Sequence, residues 1–367
     1  MISLKYNAFP SPNTTPPIPQ LPPSPPTSNE KYRDPVRRIL RLFQLRKAGK
    51  LEPKPWTKIW LSPKGYQGLL QQLDKDRGLK NYVENKIRYD FDPRCCYFTI
   101  RMPTALHERF IRNICDEINS QLRRRINSAV PSVTDVLQSI KESGSPTISL
   151  ADNAARSPDA SFYQKKTAYP SVVLEISYSQ KRKDLPRIAE SYILDSDLNI
   201  QVVVGLDIDY KKTKEATLSV WRARIERDKD GDIGICKTVI DAAPFRTAEG
   251  EAVKPGELVL RLNDFALMQT LGDITEADRE IPVVSIPFEV LAQLLAESEE
   301  VYEGLESKTG LKNNCPIRKR RRMSSSSLDS SEDDHTAPQS QRAQKADDAD
   351  QDWNPDDKRR RKNYRIM

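Results

Sequence analysis

Two acidic residues in unusual surroundings are the part of this sequence best able to do chemistry. Asp159 directly follows Pro158, and Glu175 lies inside the apolar run at residues 172–176. A carboxylate inside a buried strand costs free energy unless a partner compensates for it. If the two acids lie on neighbouring strands they converge on one point, where a divalent cation such as Mg2+ or Mn2+ is the usual partner. Because a carboxylate-bound Mg2+ activates water beside a phosphate, the pair predicts hydrolysis of phosphodiesters.

Basic residues follow the second acid and are candidates for a catalytic lysine. Lys181 and Lys183 come where the helix after the strand is expected to begin. A lysine that reaches the scissile phosphate orients the attacking water and stabilises charge on the phosphorane. The N-terminus of a helix also attracts phosphate through its unpaired N–H groups. The alternative is a lysine-rich loop without a special role.

These segments resemble the PD-(D/E)XK nuclease superfamily, which has the restriction-endonuclease fold. Within it, the PDASF and VVLEISYSQ segments are similar to the Uma2-type branch and to a set of fungal proteins, over roughly residues 95–225. The resemblance implies that Asp159 and Glu175 coordinate a metal beside the scissile phosphate of DNA. The full motif reads Glu-x-Lys, whereas this chain has Ser177 at the lysine position. Some branches carry the lysine on the following helix, which implies that role for Lys181 or Lys183.

The resemblance also implies a further acid on the helix that precedes the strands. That helix carries Glu108, Asp116 and Glu117. Glu117 lies next to the apolar stripe of the helix and is therefore the best candidate for an additional metal ligand. The alternative is that all three are solvated charges on the helix surface.

The spacing of apolar residues predicts the elements that must position these acids. A long helix is predicted at residues 103–127, because its apolar residues recur at the 3.6-residue period. The next predicted elements are strands at 147–150, 159–162 and 172–177, a helix at 183–194 and a strand at 201–208. This order is that of the α/β restriction-endonuclease-like core which the resemblance implies. The further predictions are a hairpin turning at Asp230-Gly231, a strand at 257–262 and a helix at 287–296.

Composition divides the chain into four parts. Residues 1–30 hold nine of the 27 prolines and are predicted to form a disordered arm. Its segment at 16–26 is either a ligand for a domain that binds proline-rich peptides, such as SH3 or WW, or a solvated tail. Residues 31–90 are predicted to be a helical N-terminal region, and residues 91–300 the α/β core. Residues 301–367 have the low complexity of a disordered tail.

The positive charge is concentrated in the tail. The formal net charge is +7, of which residues 309–367 supply +4, with 14 basic against 10 acidic residues. Two basic clusters lie there, RKRRR at 318–322 and KRRRK at 358–362. Such clusters are read by nuclear import receptors, so they predict a nuclear location. The alternatives are nonspecific contact with phosphate or a polyampholyte tail that only aids solubility.

Several other classes of function do not fit the sequence. No stretch approaches the ~20 apolar residues of a membrane span, so no membrane partner is expected. The chain has two histidines, His107 and His335, which argues against Ser-His-Asp or Cys-His catalysis. Its five cysteines include no C-x-x-C pair, which argues against a structural zinc site and favours reduced thiols.

Two functional classes therefore remain open. The first is a Mg2+-dependent or Mn2+-dependent DNA endonuclease with Asp159 and Glu175 as metal ligands. The second is a catalytically inactive nuclease-fold module that serves in the nucleus as a nucleic-acid-binding or protein-interaction component. Ser177 at the lysine position favours the second class. The near-neutral charge of the chain outside the tail, 45 basic against 42 acidic residues, also argues against tight, sequence-independent DNA binding by the core.

Overall fold

The computed structural model describes residues 34–51, 56–127, 129–178, 182–209, 213–272 and 274–307. The segment at 16–26, Lys181 and the clusters at 318–322 and 358–362 lie outside the described residues. By its contacts the chain divides into two units, Met1–Gly310 and Leu311–Met367, and all described residues belong to the first. This unit is a mixed α/β structure.

The helices of the described part are α1 (Pro35–Lys47), α2 (Pro63–Lys75), α3 (Arg77–Lys86), α4 (Ala105–Ile126), α5 (Pro131–Ser139), α6 (Leu185–Leu194), α7 (Leu262–Phe265), α8 (Glu276–Arg279) and α9 (Phe288–Ser307). The strands are β1 (Trp56–Trp60), β2 (Arg88–Asp92), β3 (Tyr97–Arg101), β4 (Ile140–Glu142), β5 (Ile148–Ser149), β6 (Ala155–Arg156), β7 (Ala160–Gln164), β8 (Val172–Tyr178), β9 (Val202–Ile208), β10 (Ala216–Asp228), β11 (Gly231–Arg246), β12 (Glu257–Arg261) and β13 (Pro282–Pro287).

A six-stranded sheet forms the centre of the unit, in the order β11-β10-β9-β8-β7-β4. Its neighbouring strands are antiparallel except for β8 and β9, which are parallel and are connected through α6. Helix α4 packs on one face, against Val172 and Leu174, and α6 packs on the other, against Val173. Because both faces are covered, β8 is apolar at almost every position. Glu175 points to the α6 side, like Val173 two residues before it.

Helix α4, strands β4, β7 and β8, helix α6 and strand β9 follow one another along the chain, with α5 between α4 and β4 and with β5 and β6 between β4 and β7. The first strand of the three was predicted at the wrong place. Residues 148–149 form β5, which belongs to the other large sheet, and the first strand of this sheet is β4 at residues 140–142. The sequence of β4, Ile-Lys-Glu, has one apolar residue, so it carries no alternation from which a strand can be predicted.

A second sheet of five strands lies in the N-terminal region, in the order β1-β3-β2-β6-β5. Helices α1, α2 and α3 cover one of its faces, and Phe43, Leu69 and Phe98 are buried between them. Helix α1 begins at Pro35, and Asp34 before it accepts a hydrogen bond from a backbone N–H of the first turn. The region predicted to be helical, residues 31–90, contains α1, α2 and α3, and it also contains β1 and the start of β2.

The C-terminal part of the unit follows its prediction more closely. Strands β10 and β11 form the predicted antiparallel hairpin, with the turn between Asp228 and Gly231. Strand β12 pairs with β13, which was not predicted, and α9 extends beyond the predicted 287–296 to Ser307. Within the described residues, no helix combines the length and the apolar character needed to cross a bilayer.

Candidate functional site

Asp159 is fixed against strand β8 by two hydrogen bonds. It lies directly before β7, and its backbone N–H donates to the Leu174 carbonyl at 3.1 Å. The backbone N–H of Ile176 donates to Asp159 Oδ2 at 2.7 Å. The side chain of Asp159 therefore lies beside the segment that carries Glu175, and both acids are buried. The structure brings together the two carboxylates that the sequence analysis paired.

The guanidinium of Arg101, at the end of β3, lies between the two carboxylates. Its Nη1 atom is 2.9 Å from Glu175 Oε2 and 3.7 Å from Asp159 Oδ1. Its Nε atom is 3.2 Å from Asp90 Oδ2, and its Nη2 atom donates to the Ser157 carbonyl. The point on which the acids converge is thus occupied by a cation that belongs to the protein itself. This cation comes from the five-stranded sheet, whereas Glu175 belongs to the six-stranded sheet.

Two further basic side chains hold Asp159. Nε2 of His107 is 3.1 Å from Oδ2, and Nη1 of Arg88 is 3.3 Å from Oδ1. His107 lies in the first turn of α4, where Thr104 caps the helix by accepting from the His107 backbone N–H. Arg88 also contacts Glu108, with Nη2 3.0 Å from Oε1. Asp159 is therefore enclosed by an imidazole, two guanidinium groups and a backbone N–H.

Glu175 and Ser177, the two other positions of the motif, also have hydrogen-bond partners within the protein. The hydroxyl of Tyr192, on α6, donates to Glu175 Oε1 at 2.7 Å. Ser177, at the position where the resemblance implies a lysine, is buried and its hydroxyl donates to Asp207 Oδ1. The parallel register of β8 and β9 places Ser177 beside Asp207. A paired hydroxyl thus stands where the full motif has an ammonium.

The surroundings push the acidities of the two carboxyls in opposite directions. At Asp159, burial raises the pKa, but His107, Arg101 and Arg88 outweigh burial and hold the pKa well below its ordinary value. The pKa of the Glu175 carboxyl is raised to about 7. Burial is the largest cause, Arg101 opposes it, and the charges of Asp159 and Asp90 add to it. Burial lowers the pKa of Arg101, but the acids around it raise it well above the ordinary value, so the guanidinium stays charged.

Glu117 and Lys183, the other predicted site residues that the structure describes, do not join this cluster. Glu117 follows His107 by ten residues on α4, about 15 Å farther along the helix at ~1.5 Å per residue. Its carboxylate accepts from Gln121 at 2.8 Å and pairs with Arg124 at 3.3 Å, both on the same helix. Lys183 lies exposed in the 3-10 turn before α6, and the described contacts of the two acids do not include it.

A cleft opens beside the cluster, with about 630 Å³ of empty space continuous with solvent. Arg101, Glu175 and Ser177 line it on the side of the cluster. The outer face of the five-stranded sheet forms one wall, with Trp56, Lys58 and Tyr97 among its residues, and the start of α6 contributes Asp184, Leu185 and Arg187. A ligand in this cleft would contact Glu175 and Arg101 from the solvent side.

The donor set does not fit Mg2+ or Mn2+. Each oxygen of Asp159 and Glu175 already accepts from, or pairs with, a protein group, and the shared partner of the two acids is Arg101. The proposed third ligand, Glu117, lies elsewhere. Among the described residues, no group of three or more His, Cys, Asp and Glu side chains is arranged to hold a metal ion. We therefore derive no catalytic step through a metal.

The comparisons with known proteins add no assignment: no family model matches the chain, and a search of curated proteins gives no match. The features that bear on function are therefore the charge cluster around Asp159 and Glu175 and the cleft beside it.

Proposed function

We propose that this chain has a restriction-endonuclease-like core that binds nucleic acid without cleaving it. The order α4, β4, β7, β8, α6 and β9 supports the first part of the proposal, because its three strands are antiparallel and the last is parallel to β8. The adjacency of Asp159 and Glu175 supports it further, since this is the arrangement that the resemblance implies. These two structural observations add to the sequence segments on which the resemblance is based.

The position of Arg101 is the observation that carries the non-catalytic part. A guanidinium between two carboxylates offsets part of their charge, but it coordinates no water and generates no hydroxide near neutral pH. Its charge is permanent, because the acids around it raise its pKa well above the ordinary value. Ser177, hydrogen-bonded to Asp207, supplies no ammonium to the phosphate. The cluster therefore brings two carboxylates together but lacks the reactive parts of a hydrolytic centre.

The convergence of the two carboxylates favours the alternative, an endonuclease that acts on DNA with Mg2+ or Mn2+. In that case Asp159 and Glu175 bind the ion, and Lys181 or Lys183 assists at the phosphate. Arg101 would have to leave both acids before a metal could enter. Because this breaks several contacts of a buried ion cluster, we favour the binding function.

The test is a joint measurement of binding and cleavage with the full-length protein. Labelled single-stranded and duplex DNA and RNA are incubated with it in Mg2+ or Mn2+, and anisotropy and product size are followed. We expect binding without cleavage, both for the wild type and for Ser177→Lys. Asp159→Ala and Glu175→Ala are the matched controls. Metal-dependent cleavage that both controls abolish would establish the enzyme instead, and absence of binding to every nucleic acid would overturn the proposal.

A further inference from the structure

The outer face of the five-stranded sheet presents an ordered set of side chains to solvent. Helices α1 to α3 cover the opposite face, so alternate residues of each strand point away from them. The register of β1, β3 and β2 aligns Trp60 with Tyr97 and Asp92, and Lys58 with Thr99 and Asp90. Trp56 is aligned with Arg101, the arginine of the charge cluster. This face thus leads from an exposed sheet edge to the cluster.

Strand β1 exposes two tryptophans at that edge. Trp56 is 42% and Trp60 is 51% exposed, whereas Ile59 between them is buried against the helices. Lys58 lies between the tryptophans on the exposed side, and its ammonium is 3.9 Å from the centre of the Tyr97 ring. Ile59 is the residue of β1 that the core buries, so core packing does not account for the aromatic residues at positions 56 and 60. Exposed apolar groups clustered at a cleft mark a binding surface.

The acidic residues at the inner end of this face are already neutralised. Asp90 is paired with Arg101 at 3.2 Å. Asp92 is paired with Arg187 at 2.6 Å and with Arg156 at 3.4 Å. Beyond these acids the face carries aromatic rings and one ammonium, which lies 3.9 Å from the centre of the Tyr97 ring and 5.8 Å from that of Trp56. We call Trp56, Lys58, Trp60 and Tyr97 the aromatic strip.

We propose that the aromatic strip is a stacking platform for the bases of single-stranded nucleic acid, an inference that rests on the proposed binding function. Aromatic rings on a sheet face bind unpaired bases by stacking, and a nearby cation contacts the backbone. Trp56 and Trp60 are four residues apart on one strand, about 13 Å at ~3.3 Å per residue, so they hold different bases. Bases in a duplex are already stacked on each other, and the strip therefore selects single strands.

This mode of binding predicts a distinctive salt dependence for full-length protein. One phosphate contact on a single strand changes log K by about −0.7 per unit of log salt, so affinity falls only about threefold from about 0.1 M to about 0.5 M KCl. Binding by the basic clusters at 318–322 and 358–362 would weaken far more steeply. Oligo-dT, oligo-U and a matched duplex are the probes, and tryptophan fluorescence is the signal. We expect both single strands to quench the fluorescence and the duplex to bind more weakly. Oligo-dT tests DNA and oligo-U tests RNA, so the two nucleic acids are compared separately.

Substitutions at Trp60 separate stacking from apolar contact. Trp60→Leu should weaken single-strand binding about tenfold at the higher salt, whereas Trp60→Phe, which keeps an aromatic face, should retain most of the affinity. Ile225→Ala is the matched control, because Ile225 is 69% exposed on β10 of the other sheet and should change nothing. Circular dichroism verifies that each variant is folded.

The outcomes distinguish the strip from the wider proposal. Single-strand binding that is equal in wild type, Trp60→Leu and Trp60→Phe, or a preference for duplex, would overturn the stacking platform and leave non-catalytic binding in place. This is also the result expected if the strip binds a protein instead. Metal-dependent cleavage of the single strand by wild type would overturn the proposed function, yet a loss of affinity in Trp60→Leu would still support the strip.

Discussion

Arg101 is the residue on which the character of the site depends. Its positively charged guanidinium contacts Asp90, Asp159 and Glu175 at once, through nitrogen atoms held in one rigid plane. The chain thereby holds two buried carboxylates together without an external ion. Removal of this one side chain would leave buried negative charge with incomplete compensation, which is among the most destabilising changes a core can undergo.

We expect Arg101→Ala to lower the free energy of unfolding by about 3–5 kcal/mol, the usual effect of removing one partner of a buried ion pair. The vacated point then suits a cation, so millimolar Mn2+ should restore part of the loss by binding the folded state. Urea denaturation with and without Mn2+ measures both effects.

Arg101→Lys is the control for this prediction, because it keeps the positive charge but not the planar guanidinium. Since that charge still faces the acids, Mn2+ should stabilise this variant little. The wild type should show no stabilisation at all. If Mn2+ stabilises the wild type as strongly as Arg101→Ala, Arg101 does not occupy the metal position.

At this scale the sequence predicted the acids but not their partners. Asp159 and Glu175 lie 16 positions apart in a recognisable strand pattern, and their pairing follows from it. Arg88, Arg101 and His107 come from a different sheet and from α4, and only the tertiary fold brings them in. Glu117 was predicted as a further metal ligand because it borders the apolar stripe of α4. The stripe shows which face of the helix is buried, but not which end of the helix lies near the two acids.

At the scale of elements, the packing of β9 limits what the site can tolerate. Gly205 is aligned with Glu175 across β8 and β9. A Cβ atom at Gly205 would lie 2.7 Å from Cζ3 of Trp221 and 3.4 Å from Cδ1 of Leu185. Leu185 lines the cleft at the start of α6, so a larger residue at 205 would disturb the wall of the site.

Gly205→Ala should therefore destabilise the protein by about 1–3 kcal/mol, the usual effect of overpacking a tight core. Gly68→Ala is the matched control: Gly68 lies in α2, and an added Cβ there meets nothing within 4 Å. That change should stabilise by roughly 0.5–1 kcal/mol, because alanine favours the helix. Chemical denaturation compares the two, and equal stabilities would contradict the packing argument.

The strength of the apolar pattern decided which elements were predictable. Helix α4 has its apolar residues at the helical period, strands β8 and β9 are nearly continuous apolar runs, and all three were predicted close to their observed bounds. Strand β1, which carries Trp56 and Trp60, lies within residues 31–90, the region predicted to be helical. In the structure the two tryptophans are exposed residues of the strand, and Ile59 faces the core.

At the scale of the whole molecule, the charge is divided between a near-neutral body and a basic tail. Residues 309–367 carry a net charge of +4 in two clusters, and the rest of the chain carries +3. We propose that the clusters at 318–322 and 358–362 direct the chain to the nucleus through an import receptor, while the body contributes the selective contacts.

Deleting residues 309–367 from a fluorescent fusion should then release it from the nucleus to the cytoplasm, as microscopy would show. Alanine replacement of the basic residues at 318–322 or at 358–362 alone would identify the cluster that the import receptor recognises. Unchanged nuclear accumulation of the full deletion would refute the assignment.

The charge cluster also has a mechanical consequence. Arg88 and Arg101 belong to the five-stranded sheet, whereas Glu175 belongs to the six-stranded sheet and Asp159 directly precedes one of its strands. A partial separation of the two sheets that kept water out would leave charges buried without their partners on both sides, which is strongly unfavourable. The N-terminal sheet is therefore tied to the same cooperative unfolding transition as the core, and local opening of either sheet alone is suppressed.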